Sequence, residues 1–271
     1  MGQMRRMLEV CVDTSAGLAA AVEGGADRVE LCSALALGGL TPSAGFMAEA
    51  AACGVPVLAM IRPRAGDFVW SEAEIVAMEH DIAAARAAGL AGVVLGASLP
   101  DGRLDVAVLR RLLHAATTGG DRFLRRNRTG AVEGSGAEFL ATSGGPNLGG
   151  LDLTLHRCFD LVPDLGNALE EAVALGFRRI LTSGGAVTAP AGAARIGALV
   201  VQAAGRIGVM AGAGVTAATA PALMALGVRE FHGSCTENVA VSGRVAEMGF
   251  GLVTGRQTSA ARVKALRDVL G

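Results

Sequence analysis

ARAAGLAGV (85–93) joins the end of an alanine-rich helical pattern to the start of a β-branched run with almost no loop between them. Gly89 stands where a helix is stopped, and the strand pattern follows directly. The same join recurs in AVALGFRRI (172–180) and in ALMALGVRE (222–230). Repeated helix-to-strand joins of this kind are typical of chains that build a parallel sheet from β-α units.

Short β-branched runs and longer Ala/Leu-rich runs alternate along the whole chain. The predicted strands are 7–12, 28–32, 56–62, 91–96, 152–157, 178–183, 207–212 and 229–234. The predicted helices lie near 15–23, 43–52, 71–88, 104–116, 164–175, 190–204, 216–226 and 258–270. Eight such units in 271 residues predict one α/β domain over residues 1–271, a TIM-type (β/α)8 barrel. A doubly wound open sheet is the alternative, although it rarely needs eight equal units.

The segment 117–150 interrupts this alternation. It is rich in glycine and carries a basic cluster, Arg122, Arg125, Arg126 and Arg128. We predict a flexible Gly/Arg-rich insertion between the fourth helix and the fifth strand, on the N-terminal face of the barrel. The alternative is an anionic-partner site on these arginines, although no helix or aromatic framework presents them.

The composition excludes several classes of function. The chain has 24 basic and 25 acidic residues, whereas an electrostatic nucleic-acid binder needs a basic surplus. Its only lysine is Lys264, in the last predicted helix. Schiff-base aldolases, pyridoxal-phosphate enzymes and Walker-type NTPases all need a primary amine in their sites. We therefore set those classes aside, together with nucleic acid as a partner.

The sequence also carries expectations about the compartment. The first ten residues contain no apolar core of a secretory signal. The longest uncharged stretch, 207–228, contains a GAG turn and Pro221, so we expect a strand, a turn and a helix start rather than a membrane span. The five cysteines form no CxxC pair, which disfavours a disulfide framework. We expect a reduced, cytoplasmic protein with no membrane partner.

Polar side chains recur at alternate positions on several predicted strands, opposite an aliphatic face. In a barrel the polar face points into the lumen, and binding groups collect at the C-terminal ends of the strands. The candidates are Glu9 and Cys11, Glu30 and Cys32, Arg62 and Arg64, Thr154 and His156, and Glu230, His232 and Ser234. We assign Glu9, Glu30, Arg62 and His156 as candidate catalytic residues, because buried ionisable groups are costly without a purpose.

Each of these residues also has a structural interpretation. Glu9 and Glu30 could be paired with Arg62 in a structural network. Cys11 and Cys32 lie on adjacent predicted strands, where we expect them at the same height beside the two glutamates. Facing thiolates suit a soft ion such as Cu(I), while inert packing is the other interpretation.

Glycine-rich loops follow the sixth and seventh predicted strands, in TSGG (182–185) and AGAGVT (211–216). Such loops expose backbone N–H groups, and in many barrels the loops of the last strands bind a phosphate or a carboxylate. We predict an anion-binding set from these loops and the third strand: Arg64, Ser183, Gly184, Gly212 and Gly214.

Several runs together resemble the CutC family of copper homeostasis proteins. They are LEVCVDT (8–14), GGADRVELC (24–32), GGLTPSAG (38–45), IRPRAGDFVWSE (61–72), LHRCFD (155–160), LTSGG (181–185) and MAGAGV (210–215). The resemblance implies a cytosolic TIM-type barrel, often dimeric, that is linked to copper handling and binds Cu(I). In that case Cys11 and Cys32 would be the copper ligands. The segment 117–150 departs from the family pattern, and the resemblance ends near Cys235.

Two functions follow as hypotheses. The first is a Cu(I)-binding homeostasis protein, a homodimer with copper as its ligand. The second is a lyase, isomerase or hydrolase acting on a small phosphorylated or carboxylated sugar. It would use Glu9 or Glu30 as base, Arg62 and Arg64 as an anion clamp and the glycine loops as a phosphate cradle. A non-catalytic scaffold is a third, which the polarity of the lumen disfavours.

Overall fold

A computed structural model of the chain describes residues 5–117, 150–240, 243–249 and 254–271. Eight parallel strands form a closed barrel in sequence order. They are β1 (Met7–Val12), β2 (Arg28–Leu31), β3 (Val57–Met60), β4 (Gly92–Leu95), β5 (Asp152–Leu155), β6 (Arg179–Thr182), β7 (Gly208–Ala211) and β8 (Glu230–Gly233). Because β1 pairs with both β2 and β8, the sheet has no edge. The TIM-type barrel is confirmed, and the open-sheet alternative is wrong.

Helices connect the strands around the outside of the barrel. They are α1 (Ser15–Glu23), α2 (Ala44–Ala50), α3 (Glu72–Ala87), α4 (Val106–Thr117), α5 (Leu165–Leu175), α6 (Ala193–Ala203) and α7 (Ala220–Ala225). The chain then forms a two-stranded antiparallel sheet, β9 (Thr236–Ala240) and β10 (Thr254–Thr258), with α8 (Gly243–Glu247) between them, before α9 (Ala260–Leu270). The sequence predicted the helix of α9 but not this added hairpin.

Local sequence signals explain where these helices begin and end. Ser71 caps α3 through a capping box with Glu74, in which each side chain accepts a backbone N–H from the other residue. Gly89, Gly176 and Gly227 all have positive φ, between 80° and 87°. These are the three glycines of the helix-to-strand joins, and the left-handed conformation lets the chain reverse directly into the next strand.

The main hydrophobic core lies between the barrel and its helices. Leu8, Val10 and Val12 of β1 are fully buried in it, and α4 contributes Leu109 and Leu112. A second, smaller cluster lies inside the barrel: Cys32, Leu58, Met60 and Val94, with Leu35 packed against it. The lumen therefore carries an apolar cluster where β2, β3 and β4 adjoin.

The predicted insertion lies almost wholly outside the described residues, since positions 118–149 are not among them. Its flexibility and any role of Arg122, Arg125, Arg126 and Arg128 stay predictions. No helix of the described ranges combines the length and the apolar character that crossing a bilayer requires.

Candidate functional site

Strand alternation places Glu9 and Cys11 in the lumen, because Leu8, Val10 and Val12, at the alternate positions of β1, pack outward. The neighbouring strands add to the same region. In the β1–β2 register, Glu9 is level with Arg28 and Cys11 is level with Glu30. On the other side of β1, Glu9 is level with His232 of β8. Glu9 and Glu30, and with them His232, thus meet in one buried group.

A chain of ion pairs crosses the lumen at the N-terminal ends of the strands. The Nε of Arg28 lies 2.5 Å from Glu9 Oε2, and its Nη2 lies 2.7 Å from Glu230 Oε2. Arg179 continues the chain, with Nε 2.9 Å from Glu230 Oε2 and Nη2 2.8 Å from Asp152 Oδ2. The side chains of these pairs are buried or largely buried. The pairs hold Glu9 in position from the N-terminal side of the lumen.

The structural interpretation that pairs the glutamates with Arg62 is therefore corrected. Glu9 pairs with Arg28 rather than with Arg62, because the β1–β2 register sets Arg28 directly beside it. The sequence reasoning missed Arg28 and Arg179 as lumen residues. Arg28 stands two positions before Glu30 and Arg179 two before Leu181, so strand alternation could have identified both.

His232 bridges the two glutamates. Its Nδ1 lies 2.8 Å from Glu9 Oε1, and its Nε2 lies 3.7 Å from Glu30 Oε2. Burial alone would lower the pKa of His232, but Glu30, Cys11 and Glu9 together raise it well above the usual value. Burial would raise the pKa of Glu9, yet Arg28 and His232 outweigh it and lower that pKa. Burial dominates at Glu30, whose pKa is raised.

Cys11, Glu30 and His232 form a group with metal-ligand geometry. One ligand atom from each, a sulfur, an oxygen and a nitrogen, lies within 4.8 Å of the other two. Because His232 Nδ1 is held by Glu9, its Nε2 is the nitrogen that faces this group. A carboxylate on the far ring nitrogen is the usual support of a metal-binding histidine.

Cys32 lies outside this group in the described part of the chain. The register makes Cys11 level with Glu30, so Cys32 stands two residues further along β2, and the expected equal height of the two cysteines is wrong. Cys32 Sγ donates to Glu30 Oε2 at 3.5 Å and packs among Leu58 and Met60. Burial and the Glu30 carboxylate raise the pKa of this thiol well above the usual value.

Arg62 and His156 follow the C-terminal ends of β3 and β5 and border the cavity beside the ring of Phe68. The Arg62 guanidinium carbon lies 5.0 Å from the centre of the Phe68 ring, and the His156 ring lies 4.7 Å from the same centre. Burial and the charge of Arg62 lower the pKa of His156 to about 3, so the ring is neutral. The four predicted catalytic residues thus form two pairs by their contacts: Glu9 and Glu30 both contact His232, and Arg62 and His156 both contact Phe68.

Arg64, the expected second half of the anion clamp, is engaged elsewhere. Its Nε lies 2.5 Å from Glu74 Oε1, its Nη2 lies 2.9 Å from Asp67 Oδ1, and its guanidinium stacks on Trp70. It is not among the residues that line the cavity. The expected clamp of Arg62 with Arg64 is therefore corrected, because two carboxylates already satisfy Arg64.

The glycine loop after β6 already binds a carboxylate of the same chain. The Asp160 carboxylate accepts the backbone N–H groups of Ser183 and Gly185 and the hydroxyl of Thr182. Gly184 N donates to Thr182 Oγ1 instead. The prediction of a phosphate cradle at Ser183 and Gly184 is therefore corrected, because an anion there would have to displace the Asp160 carboxylate.

The two glycines after β7 have structural reasons to be glycine. Gly212 N donates to Thr182 O, and a Cβ at Gly212 would lie 2.5 Å from the side chain of Leu181. Gly212 is therefore not a free anion donor. Gly214 has φ of +74° in a turn and borders the cavity, so of the predicted loop set it alone faces the space where a ligand would bind.

A large cavity opens at the C-terminal ends of the strands, with a volume of about 1270 Å³. Its lining includes Cys11, Glu30, Arg62, His156 and His232. Residues of the β9–β10 hairpin, such as Thr236 and Arg256, border it as well. Both halves of the candidate site therefore share one solvent space, as expected for this face of a TIM-type barrel.

Comparison with known proteins identifies the family. The sequence model of the CutC family matches residues 6–126 and 136–237. A family protein CutC of Sinorhizobium medicae is 51% identical over 269 residues, covering 98% of this chain and 96% of the relative. This chain belongs to the CutC family. Another CutC family protein, of Caulobacter vibrioides, is 48% identical over 275 residues, covering 98% of this chain and 99% of the relative.

A solved CutC structure has the same fold. It comes from Streptococcus agalactiae, is named as a candidate copper homeostasis protein, is 32% identical and superposes with a TM-score of 0.69. The match covers 84% of this chain and 98% of that one. An aldolase, QR15, shares the fold alone, at 13% identity, a TM-score of 0.56 and coverage of 86% and 92%.

The segment 117–150 is less foreign to the CutC family than its composition indicates. The family match runs through 118–126 and 136–149 and omits only 127–135. The expectation that the whole segment departs from the family is therefore wrong. The family model ends at residue 237, close to Cys235, but the CutC relatives match 98% of this chain, so the expectation that the resemblance ends near Cys235 is wrong.

Proposed function

We propose that this CutC family chain takes part in copper homeostasis by binding Cu(I) between Cys11 and His232, with Glu30 beside the ion. Copper is here a cargo rather than a catalytic cofactor. The observation that carries the proposal is the convergence of Cys11 Sγ, His232 Nε2 and a Glu30 oxygen within 4.8 Å in a buried group that opens to the cavity.

The donor set fits copper better than a hard ion. A thiolate is a soft ligand that selects Cu(I), and an imidazole nitrogen suits copper as well, whereas calcium and magnesium prefer oxygen alone. Glu9 holds the far nitrogen of His232 and is itself held by Arg28. The imidazole is therefore oriented before the ion arrives, which removes an ordering cost from binding.

The expected Cys11–Cys32 pair becomes an alternative ligand set within this proposal. Cys32 offers a second soft sulfur, but its thiol is buried in an apolar cluster beside a carboxylate, which disfavours its thiolate. All five cysteines are free, Cys11 and Cys32 among them. Free thiols that hold Cu(I) require a reducing setting, so the proposal places the protein in the cytoplasm.

Competition of the purified full chain with a Cu(I) chelator tests the proposal. Cys11→Ser and His232→Gln should each weaken Cu(I) binding by more than about a hundredfold, because each removes a ligand. Glu9→Gln should weaken it by about tenfold to a hundredfold, as expected for a group that supports a ligand. Cys53→Ser is the matched control, because Cys53 Sγ bonds only to Val55 O near the end of α2. Unchanged affinity in Cys11→Ser would refute the proposal.

A second candidate function is acid–base catalysis on a small anionic metabolite, by a lyase, isomerase or hydrolase. The size of the cavity favours it, since about 1270 Å³ exceeds the roughly 300–1,000 Å³ of ordinary small-molecule sites and far exceeds the space of one ion. Glu30 faces this space with a raised pKa, and its Oε1 lacks a partner among the described residues, as suits a general base.

Solvent exchange tests the second candidate. Lyases and isomerases of this class abstract a proton next to a carboxylate or carbonyl, so incubation with small sugar acids in D2O should introduce deuterium at that carbon. Glu30→Gln should abolish the exchange, and Glu49→Gln, at the exposed end of α2, should not. Absence of exchange in the wild-type chain for every sugar acid tried would count against this function.

A further inference from the structure

We infer that Arg62 and His156 form a carboxylate-binding subsite at the mouth of the cavity, with the ring of Phe68 as its apolar wall. The inference goes beyond copper binding. It gives the second candidate function a ligand class and rests on that candidate's cavity being a binding site. It uses neither Cys11 nor His232, so it can fail or succeed independently of the copper proposal.

Arg62 carries a positive charge that no acidic group matches within the described ranges. Its guanidinium donates to three backbone carbonyls, those of Leu37, Gly39 and Gly66, at 2.9 to 3.1 Å. A guanidinium has five N–H groups, so two remain, and one is the Nε–H, which is buried and has no partner in the part of the chain that the structure describes. The residue is 7% exposed, so its charge is largely removed from bulk solvent, which makes an unmatched charge costly.

His156, which contacts the same Phe68 ring and lines the same cavity, adds a second donor without a partner among the described residues. The N–H of Cys158 donates to His156 Nδ1 at 3.1 Å, which makes Nδ1 an acceptor and puts the proton of the neutral ring on Nε2. This Nε2 is buried and has no partner among the described residues. The ring is 3% exposed and borders the cavity.

The positions of both donors are fixed. Gly96 leaves room for the His156 ring, because a Cβ there would lie 2.4 Å from Cε1. Trp70 Nε1 donates to the carbonyl of Gly96 at 2.8 Å and holds that backbone in place. The three carbonyls hold Arg62 in the same way. The subsite is therefore built before a ligand arrives, which reduces the entropy cost of binding.

The number of donors favours a carboxylate over a phosphate. The two remaining Arg62 N–H groups and His156 Nε2–H can serve the two oxygens of a carboxylate, and paired N–H groups of arginine match that group well. A phosphate has a third oxygen to satisfy, while the nearby lining is apolar, from Leu37, Met60 and Phe68. The β6 loop cannot supply more donors, because Asp160 occupies them.

A ¹⁵N NMR titration of the full chain tests the inference with acetate as the probe. Acetate should shift the Nε of Arg62 and the Nε2 of His156 in a saturable way, and the isosteric but neutral acetamide should not. Inorganic phosphate should bind at least about tenfold more weakly than acetate, because it has four oxygens and those beyond two are left without a donor. Arg62→Met should abolish the shift at His156. His156→Phe keeps a ring but loses the donor, and should weaken acetate binding about tenfold.

Matched variants keep the outcomes distinct. Arg64→Lys should leave acetate binding unchanged, because Arg64 is engaged by Glu74 and Asp67 and does not line the cavity. Cys11→Ser should also leave it unchanged while losing copper, which separates the two proposals. The wild-type titration needs no variant to fold. Absence of a saturable shift at both nitrogens up to about 100 mM acetate, an equal response to acetamide, or tighter binding of phosphate would each overturn the inference.

Discussion

His232 and His156 are both buried in the cavity lining, yet their surroundings give them different charge states. His232 lies between Glu9 and Glu30, and these carboxylates with Cys11 raise its pKa despite burial. His156 has burial and the charge of Arg62 acting in the same direction, and its pKa is lowered to about 3. Two residues of one type therefore serve as a bridging cation and as a neutral donor.

The two histidines should affect stability at opposite ends of the pH range. Since the folded-state pKa of His232 is raised above 6.5, its stabilisation is present below that pH and is lost as pH rises through the folded pKa. Since the pKa of His156 is lowered from 6.5 to about 3, its contribution is lost as pH falls between those values, by an amount of the order of 5 kcal/mol.

Urea unfolding of the variants measures both effects. His232→Gln should flatten the fall in the free energy of unfolding on the alkaline side, and His156→Gln should flatten it on the acid side. The two variants serve as controls for each other. If both change the same limb of the pH profile, the assigned charges are wrong.

Much of the residue-level site could be predicted from strand alternation. It identified Glu9, Cys11, Glu30 and His232 as lumen residues, because polar and aliphatic positions alternate on their strands. It could not give the register between strands, which depends on the closure of the barrel and the connecting segments. That is why Cys32 was expected level with Cys11, and why the structural interpretation of Glu9 paired it with Arg62 rather than with Arg28.

At the scale of elements, the loop after β6 has the sequence and the donors of an anion site, but the group it binds is Asp160 of the same chain. Asp160 receives two backbone N–H groups and two hydroxyls, those of Thr182 and Ser183, and Arg157 pairs with it. A glycine-rich sequence indicates that such a loop can bind an anion. It does not say whether the anion is a ligand or an aspartate from the segment after β5, because that depends on a tertiary contact.

Removing the Asp160 carboxylate should leave the donors of the loop after β6 free to bind an added anion. Asp160→Ala should destabilise the protein by about 2–4 kcal/mol, because it leaves several buried donors unpaired. Inorganic phosphate should restore part of that loss. Asp164→Ala is the control, since Asp164 only caps α5 by accepting the Asn167 N–H, and it should cost about 1 kcal/mol with no phosphate rescue.

Thermal unfolding with and without phosphate measures this prediction. A phosphate-dependent rise in melting temperature is expected for Asp160→Ala and not for the wild-type chain or for Asp164→Ala. An equal rise in all three proteins would mean that phosphate binds elsewhere, and no loss of stability in Asp160→Ala would contradict the assigned role of the carboxylate.

At the scale of the whole molecule, the order of helices and strands was predictable and the closing segment was not. Eight alternating strand and helix units, with helix-stopping glycines at Gly89, Gly176 and Gly227, indicate a barrel from the sequence alone. The β9–β10 hairpin was missed because its residues are largely exposed, so no apolar periodicity marks them. It matters for function, since Arg256 and Thr258 of β10 border the cavity.

Copper binding by the whole chain should be linked to protons. Cys11 must lose its thiol proton and His232 must lose a proton that its surroundings retain, so Cu(I) affinity should rise with pH. We expect about a tenfold gain in affinity per pH unit for each proton released. Chelator competition between about pH 6 and about pH 8 measures the slope, and affinity independent of pH would contradict the involvement of His232.

X-ray absorption at the copper edge tests the copper site most directly, with the full chain loaded with one equivalent of Cu(I). We predict one sulfur and one imidazole nitrogen as the strong neighbours of copper, and the same spectrum for Cys32→Ser. Loss of the imidazole signal in His232→Gln should accompany the weaker binding. A spectrum with two sulfurs and no imidazole, changed by Cys32→Ser and not by His232→Gln, would contradict the site proposed at Cys11 and His232.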